Sequence, residues 1–194
     1  CLALLWFKKP KYGQKAVTTG LIMALLVTGA DGLYWMHRRF RHPGLRVTVL
    51  DVGQGLASLV EFPKGKTMLI DGGGFTDNSV FDVGEQIIAP FLRQNKIGNL
   101  DIIVLSHPDA DHLNGLLYIL EHFQVAKVIS SHRPADTEAY RRFLRIVEKK
   151  QIAHPPLSQV APRQNINGAF IEILFPWPDP RTACAPCAGA NNCC

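Results

Sequence analysis

The stretch 106-SHPDADHLNGL-116 decides both the fold class and the chemistry expected of this 194-residue chain. It follows the apolar run 102-IIVL-105, which is typical of a buried strand, and its second half has the pattern of a helix. Six consecutive residues of this stretch contain four side chains that can bind a metal: His107, Asp109, Asp111 and His112. Because α/β folds place their sites where a strand ends and a helix begins, we expect a functional site at this turn.

Imidazole and carboxylate groups at one turn indicate a transition metal. Nitrogen and oxygen ligands together suit Zn, Mn or Fe better than Ca²⁺, which takes only oxygen. Asp111 and His112 are adjacent, and a turn that enters a helix lets both side chains approach one cation. The free N–H groups at the start of that helix would also favour an anionic group such as phosphate. The alternative is that Asp109 or Asp111 only caps the helix while His112 lies in solvent.

The sequence on both sides of the turn predicts an α/β domain that begins with antiparallel strands. Apolar runs bounded by turn residues predict six strands, at 45–51, 57–62, 67–71, 101–106, 126–130 and 169–175. The turn 63-PKGK-66 indicates that the second and third strands form a hairpin. Helices are predicted over 112–122 and 136–150, and Asp82 is placed to cap a further helix.

The N-terminal part differs from the rest in charge and hydropathy. Residues 1–46 contain eight Lys and Arg against one acid, whereas residues 47–194 contain thirteen against fifteen. The positive net charge of the chain therefore comes from its N-terminal part and does not indicate nucleic-acid binding by residues 47–194. The segment 16-AVTTGLIMALLVTGADGLYWM-36 matches the roughly 20 apolar residues that cross a bilayer core. We predict a transmembrane helix at about 16–36, within a first region 1–44, with a buried soluble helix as the alternative. Basic residues flank both ends, so its orientation stays open.

Three motifs, in the same order, resemble those of the metallo-β-lactamase superfamily, and in particular its ComEC branch of DNA-uptake proteins. The stretch 50-LDVGQGLASLV-60 resembles a strand and turn of that branch, although Leu56 stands where many members have an acid. The stretch 68-MLIDGGG-74 resembles the first superfamily motif. The opening stretch resembles the His-x-His-x-Asp-His motif, with Asp109 in place of the second His. The resemblance implies an α/β fold, the αββα sandwich, whose N-terminal half would occupy 45–180.

The resemblance also implies roles for individual residues. His107, Asp111 and His112 match metal-binding positions, and Asp111 would also orient the attacking water. Asp109 would be an oxygen ligand that favours a harder ion such as Mn²⁺ over Zn²⁺, or would leave one metal position weak. Asp71 would hold the ligands in position without binding the metal itself. The alternative is that it only forms a turn. The expected cofactor is one or two divalent transition metal ions, which in the superfamily activate water for attack.

The function implied by the ComEC resemblance is hydrolysis of phosphodiesters in the DNA strand that is not imported. The implied location is the cytoplasmic membrane, which the full-length protein crosses several times, with the soluble domain on the periplasmic or extracellular side. The implied partners are single-stranded DNA, the membrane and other proteins of the competence machinery. Two alternatives stay open: a non-catalytic module that binds and guides DNA, and a superfamily hydrolase of esters or thioesters.

Helix 136–150 offers a candidate DNA contact. Arg141, Arg145 and Lys149 share one face, which would suit a DNA backbone, although a solvated charged face is the alternative. The face formed by these three residues has no aromatic residue of its own, so a platform for stacking bases is not predicted there.

The C-terminal part departs from the family pattern. The later ligands that the resemblance implies, an Asp after a Gly and a His in a His-His-Gly-Ser stretch, have no match here. We therefore expect a fragment of a longer protein that is inactive by itself. His132 and His154 are alternative ligands, although loop histidines in solvent are the expectation. Residues 181–194 are predicted to be an irregular Cys-rich tail. The alternatives are a redox site at Cys184 and Cys187, or a zinc site formed by these two with Cys193 and Cys194.

Overall fold

A computed structural model describes residues 11–40, 44–77, 80–131 and 135–174 of the chain. It separates into two compact units, which divide between residues 42 and 43. His132 and the predicted Cys-rich tail 181–194 lie outside the described residues.

The first unit contains one long helix, α1 (Lys11–Phe40). By length and composition, its 26-residue stretch Gly13–Arg38 can cross a membrane, because it measures about 39 Å against a bilayer core of about 30 Å. The hydroxyls of Thr18 and Thr28 donate to carbonyls three and four residues earlier. Such bonds satisfy a hydroxyl without water, as a hydrocarbon environment requires. The helix extends beyond both ends of the predicted span 16–36.

The second unit is built on a five-stranded sheet in which chain order and spatial order coincide. The strands are β1 (Arg46–Val49), β2 (Ser58–Glu61), β3 (Thr67–Ile70), β4 (Asn99–Leu105) and β5 (Gln124–Ser130). The first three strands pair antiparallel, and β3–β4 and β4–β5 pair parallel. The parallel pairs require crossovers. These contain a π-helical turn (Gly84–Ile88) followed by α2 (Ala89–Gln94), and then α3 (Ala110–His122). The predicted α/β class with an antiparallel beginning is confirmed.

The main core lies on the helical face of the sheet. Helices α3 and α4 (Glu138–Lys149) bury residues at helical spacing against the strands, among them Leu113, Leu116, Leu120, Phe143 and Val147. Asp82 precedes the π-helical segment and caps this crossover as predicted, because its Oδ1 accepts from the backbone N–H of Glu85 at 3.1 Å.

The opposite face of the sheet packs against a second hairpin. Strands β6 (Arg163–Ile166) and β7 (Ala169–Glu172) pair antiparallel, and Ile166, Ala169 and Ile171 pack against a small cluster around Phe62. Only the second of these strands is predicted by the sequence, because 163-RQNI-166 is short and mostly polar. The turn Asn167-Gly168, both residues at positive φ, is the signal that indicates the hairpin. Helices on one face and strands on the other are the arrangement expected of half an αββα sandwich.

Lys150 joins α4 to the end of α3. Its ammonium group donates to the carbonyl oxygens of Leu120 at 2.6 Å, Glu121 at 2.8 Å and Phe123 at 3.1 Å. The last carbonyls of a helix have no partner within the helix, and a cation there also interacts favourably with the helix dipole.

Replacement of Lys150 by methionine, which keeps the aliphatic chain, is expected to lower the free energy of unfolding by about 1–2 kcal/mol. Urea denaturation of the chain in detergent micelles, followed by circular dichroism, measures the change. The matched control is Lys149→Met, at the exposed neighbouring position, with an expected change within about 0.5 kcal/mol. Equal losses for the two variants would show that the three carbonyl contacts contribute nothing specific.

Candidate metal centre

The turn 106–109 connects the carboxyl end of β4 to the beginning of α3. His107 lies in this turn, and Asp111 and His112 lie in the first turn of the helix. Each of these three side chains brings one ligand atom within 4.8 Å of the other two. An ion with bonds of about 2.0–2.2 Å can draw such atoms together by small side-chain rotations. The structure therefore brings three of the four predicted ligands together.

Asp109 lies at the rim of this group. Its carboxylate is 72% exposed, and Oδ2 is 3.4 Å from His107 Nε2. The residue occupies the N-cap position of α3, but its side chain makes no capping hydrogen bond to the described backbone. The alternative in which the Asp109 side chain caps the helix therefore has no support in this geometry.

Carboxylate oxygens and imidazole nitrogens face one another at the turn. Asp111 Oδ2 is 3.6 Å from His112 Nε2, and the ring centroids of His107 and His112 are 3.8 Å apart. Facing acceptors are favourable only when a proton or a cation lies between them. Two imidazoles with one or two carboxylates form a donor set that Zn²⁺ and Mn²⁺ accept. The residues present thus fit a divalent transition metal.

Asp71 lies behind the histidines and is 1% exposed. Its Oδ1 accepts from the Ser106 backbone N–H at 2.8 Å, and its Oδ2 lies 2.7 Å from Ser106 Oγ and 2.8 Å from His112 Nδ1. An ionised carboxylate only accepts, so neutral His112 must carry its proton on Nδ1. The lone pair of His112 Nε2 is then available to a metal. Asp71 thus has the geometry that its predicted role requires, and the role itself stays a prediction.

The glycines after Asp71 dock β3 onto α3 through the backbone. The N–H of Gly72 donates to the carbonyl of His112 at 2.8 Å, and the N–H of Gly115 donates to the carbonyl of Gly73 at 3.0 Å. A Cβ on Gly115 would lie 2.0 Å from the Gly72 oxygen, so this approach requires glycine. The close docking keeps the Asp71 carboxylate within reach of His112.

The motif 50–60 contacts the same helix from another side. The N–H of Leu56 lies 3.4 Å from the carbonyl oxygen of Asp111. Gly55 has a φ of +85°, and a Cβ there would lie 1.7 Å from that oxygen. Asp51 shapes the turn, because its Oδ1 accepts from the Gly53 N–H at 3.2 Å. All three predicted motifs therefore meet around the first turn of α3.

The candidate DNA-contacting face of α4 is occupied by ion pairs. Arg141 pairs with Asp136 and Glu138, and Arg145 donates to Glu138 at 2.6 Å. Hydrogen bonds from Arg145 and then Arg141 hold the pKa of the Glu138 carboxyl below its usual value. Lys149 is exposed in the last turn. Because acids already face both arginines, contact with DNA at this face stays a prediction.

Two further polar residues lie near strand ends. His154, the alternative ligand, has its Nε2 2.8 Å from Ser130 Oγ and is not in the three-residue group. Ser106 contacts Asp71, His107 and His112 and is not among the predicted site residues. Its position between the end of an apolar strand and His107 is the signal that would have found it.

Comparison with known proteins identifies the family. The sequence profile of the Metallo-beta-lactamase superfamily matches residues 50–180, a span that contains all three motifs. The chain belongs to the metallo-β-lactamase superfamily. Members of this superfamily usually bind divalent metals, and the His107, Asp111 and His112 cluster lies within the matched region.

Two curated relatives are similar to the chain. ComE operon protein 3 of Bacillus subtilis (strain 168) is 29% identical over 128 residues, which are 59% of this chain and 16% of that protein. Recombination protein 2 of Haemophilus influenzae (strain ATCC 51907 / DSM 11121 / KW20 / Rd) is 34% identical over 108 residues, which are 56% of this chain and 13% of that protein. The resemblance to the ComEC branch is confirmed, and the chain spans less than a fifth of each relative's length.

Proposed function

We propose that this domain serves in metal-dependent hydrolysis of DNA phosphodiesters during DNA uptake. The observation that carries the proposal is the group of His107, Asp111 and His112 at the turn, with the buried Asp71 carboxylate fixing one imidazole from behind. The similarity to ComE operon protein 3 and Recombination protein 2 supports the DNA-uptake context.

Each residue of the site has its own proposed role. His107, Asp111 and His112 would hold a divalent ion, Mn²⁺ or Zn²⁺, and Asp109 at the rim would be a further oxygen ligand. Such an ion, when bound, would supply Lewis-acid chemistry that lowers the pKa of water. Asp71 keeps the His112 proton on Nδ1, away from the ion. The N-terminus of α3 presents its positive dipole end to the same place, which favours a phosphate there.

The proposed setting is the cytoplasmic membrane. Helix α1 would anchor the domain as the last part of a channel region over residues 1–44, with the hydrolase domain over 45–180 on the periplasmic or extracellular side. Single-stranded DNA and other proteins of the competence machinery are the proposed partners. The support is the length and composition of α1 together with the similarity to the two relatives.

The test is a nuclease assay on the full-length protein in detergent. With Mn²⁺ it is expected to degrade end-labelled single-stranded DNA, and an excess of EDTA should remove the activity, because the proposed mechanism activates water at the metal ion. Products are read on a denaturing gel. DNA binding without cleavage would favour a guiding module, and cleavage of thioesters but not of DNA would favour a hydrolase of that kind.

A further inference from the structure

We propose that Ser106 sets the tautomer of His107, so that the buried Asp71 carboxylate orients both imidazoles of the site. Asp71 acts on His112 by direct contact and on His107 through the Ser106 hydroxyl. The consequence for metal affinity rests on the proposed function, whereas the position of the protons does not.

The distances define a chain of three groups. Ser106 Oγ lies 2.7 Å from Asp71 Oδ2 on one side and 2.9 Å from His107 Nδ1 on the other. The Ser106 backbone N–H also donates to Asp71 Oδ1 at 2.8 Å. These two bonds from one residue to one carboxylate fix the serine side chain between Asp71 and His107.

The hydroxyl has a single proton, and Asp71 decides where that proton goes. An ionised carboxylate only accepts, so the Ser106 O–H must donate to Asp71. The serine oxygen then faces His107 Nδ1 with a lone pair, and Nδ1 must carry the imidazole proton. The 3.4 Å approach of Ser106 Oγ to His112 Nδ1 does not compete, because that nitrogen donates to Asp71 at 2.8 Å.

The opposite arrangement is unfavourable. If Ser106 donated to His107, two oxygens would face each other at 2.7 Å with no proton between them. Asp71 would also lose one of its three hydrogen bonds while remaining 1% exposed. Buried acceptors that lose a partner destabilise the folded state.

One neighbour favours the other tautomer. Asp109 Oδ2 is 3.4 Å from His107 Nε2 and would attract a proton on that nitrogen. This distance exceeds that of a good hydrogen bond, and the Asp109 carboxylate is 72% exposed, so its attraction is weak. The contact with Ser106 therefore determines the tautomer of His107 in the native protein. Without the serine hydroxyl, Asp109 would draw the proton to Nε2, the atom that the metal needs.

Nitrogen chemical shifts of the imidazoles test the proposal in metal-free protein. The chain is labelled with ¹⁵N-histidine in detergent micelles and studied at about pH 8.5, where an ordinary imidazole is neutral. In the native chain, long-range ¹H–¹⁵N correlations should show the Nδ1–H tautomer for both His107 and His112. In Ser106→Ala, His107 should shift toward Nε2–H while His112 keeps its tautomer, and Ser106→Thr should restore the native pattern.

Metal titration gives the second readout. Zn²⁺ affinity, measured by competition with a chelating dye, is expected to fall about 10- to 100-fold in Ser106→Ala and to recover in Ser106→Thr. A native His107 with its proton on Nε2, or an unchanged tautomer in Ser106→Ala, would overturn the proposal, even if affinity fell. If the tautomers are as predicted but neither this chain nor the full-length protein binds Zn²⁺ or Mn²⁺, the role of Ser106 is upheld and the proposed function is refuted.

Discussion

Hydrolysis of single-stranded DNA by the Mn²⁺-loaded full-length protein is expected to fall at least ~10³-fold when Asp111 is replaced by alanine. Asp111 is one of the three clustered ligands and the one that supplies an oxygen. Its loss weakens the hold on the ion and removes the group proposed to orient the attacking water. A factor of ~10³ corresponds to about 4 kcal/mol, which is in the range that metal activation supplies. Initial rates at saturating Mn²⁺ measure the loss.

A matched acidic residue controls for charge. Asp136→Ala removes a carboxylate that is 98% exposed and paired with Arg141 on another helix, and its rate should stay within about twofold of the native rate. DNA affinity in EDTA, measured by fluorescence anisotropy, should be kept in both variants, because removal of an acid does not weaken contacts to phosphate. Undiminished hydrolysis in Asp111→Ala would refute the assignment of the catalytic metal to this turn.

Replacement of Gly115 by alanine is expected to lower the free energy of unfolding by about 3 kcal/mol. The added Cβ would lie 2.0 Å from the Gly72 oxygen, 3.0 Å from its carbonyl carbon and 3.3 Å from the Gly84 nitrogen. These are backbone atoms, which cannot rotate away, so α3 must move from the 72–74 loop. The gain in helix propensity, about 1 kcal/mol, offsets only part of this cost. Urea denaturation of the chain in detergent micelles measures the change.

The same substitution at Gly98 is the control. Gly98 is exposed, and a Cβ there would have no described heavy atom within 4 Å. Its stability should change by no more than about 0.5 kcal/mol. If Gly115→Ala proved as stable as Gly98→Ala, the loop and the helix would not be in the contact that places Asp71 against His112.

Much of the fold could be predicted because periodicity reports which faces are buried. The apolar run before His107 and the pattern after it locate β4 and α3, and the glycine motif locates the end of β3. The strand β6 was missed because three of its four residues are polar, and its burial depends on the neighbouring β7. Local pattern carries no information about a strand that is stabilised mainly by its partner.

The site illustrates the same limit. The four candidate ligands could be predicted because they are adjacent in sequence, whereas the hydrogen bonds of Asp71 span 35 residues to Ser106 and 41 to His112. The basic character of α4 could be predicted from the sequence, but the bond from Arg142, which lies beside the candidate DNA-contacting face, to Glu121, 21 residues away, could not. Spacing identifies which groups are present, and only the fold determines which of them are already paired.

The seam between the Gly72–Gly73 loop and α3 is made of peptide groups, whose identity does not depend on the side chains around them. Exposed positions nearby can therefore change without moving the ligands relative to Asp71. Substitutions at these positions can therefore change which substrates reach the centre while the ligand geometry is kept. One backbone scaffold can in this way serve enzymes with different substrates.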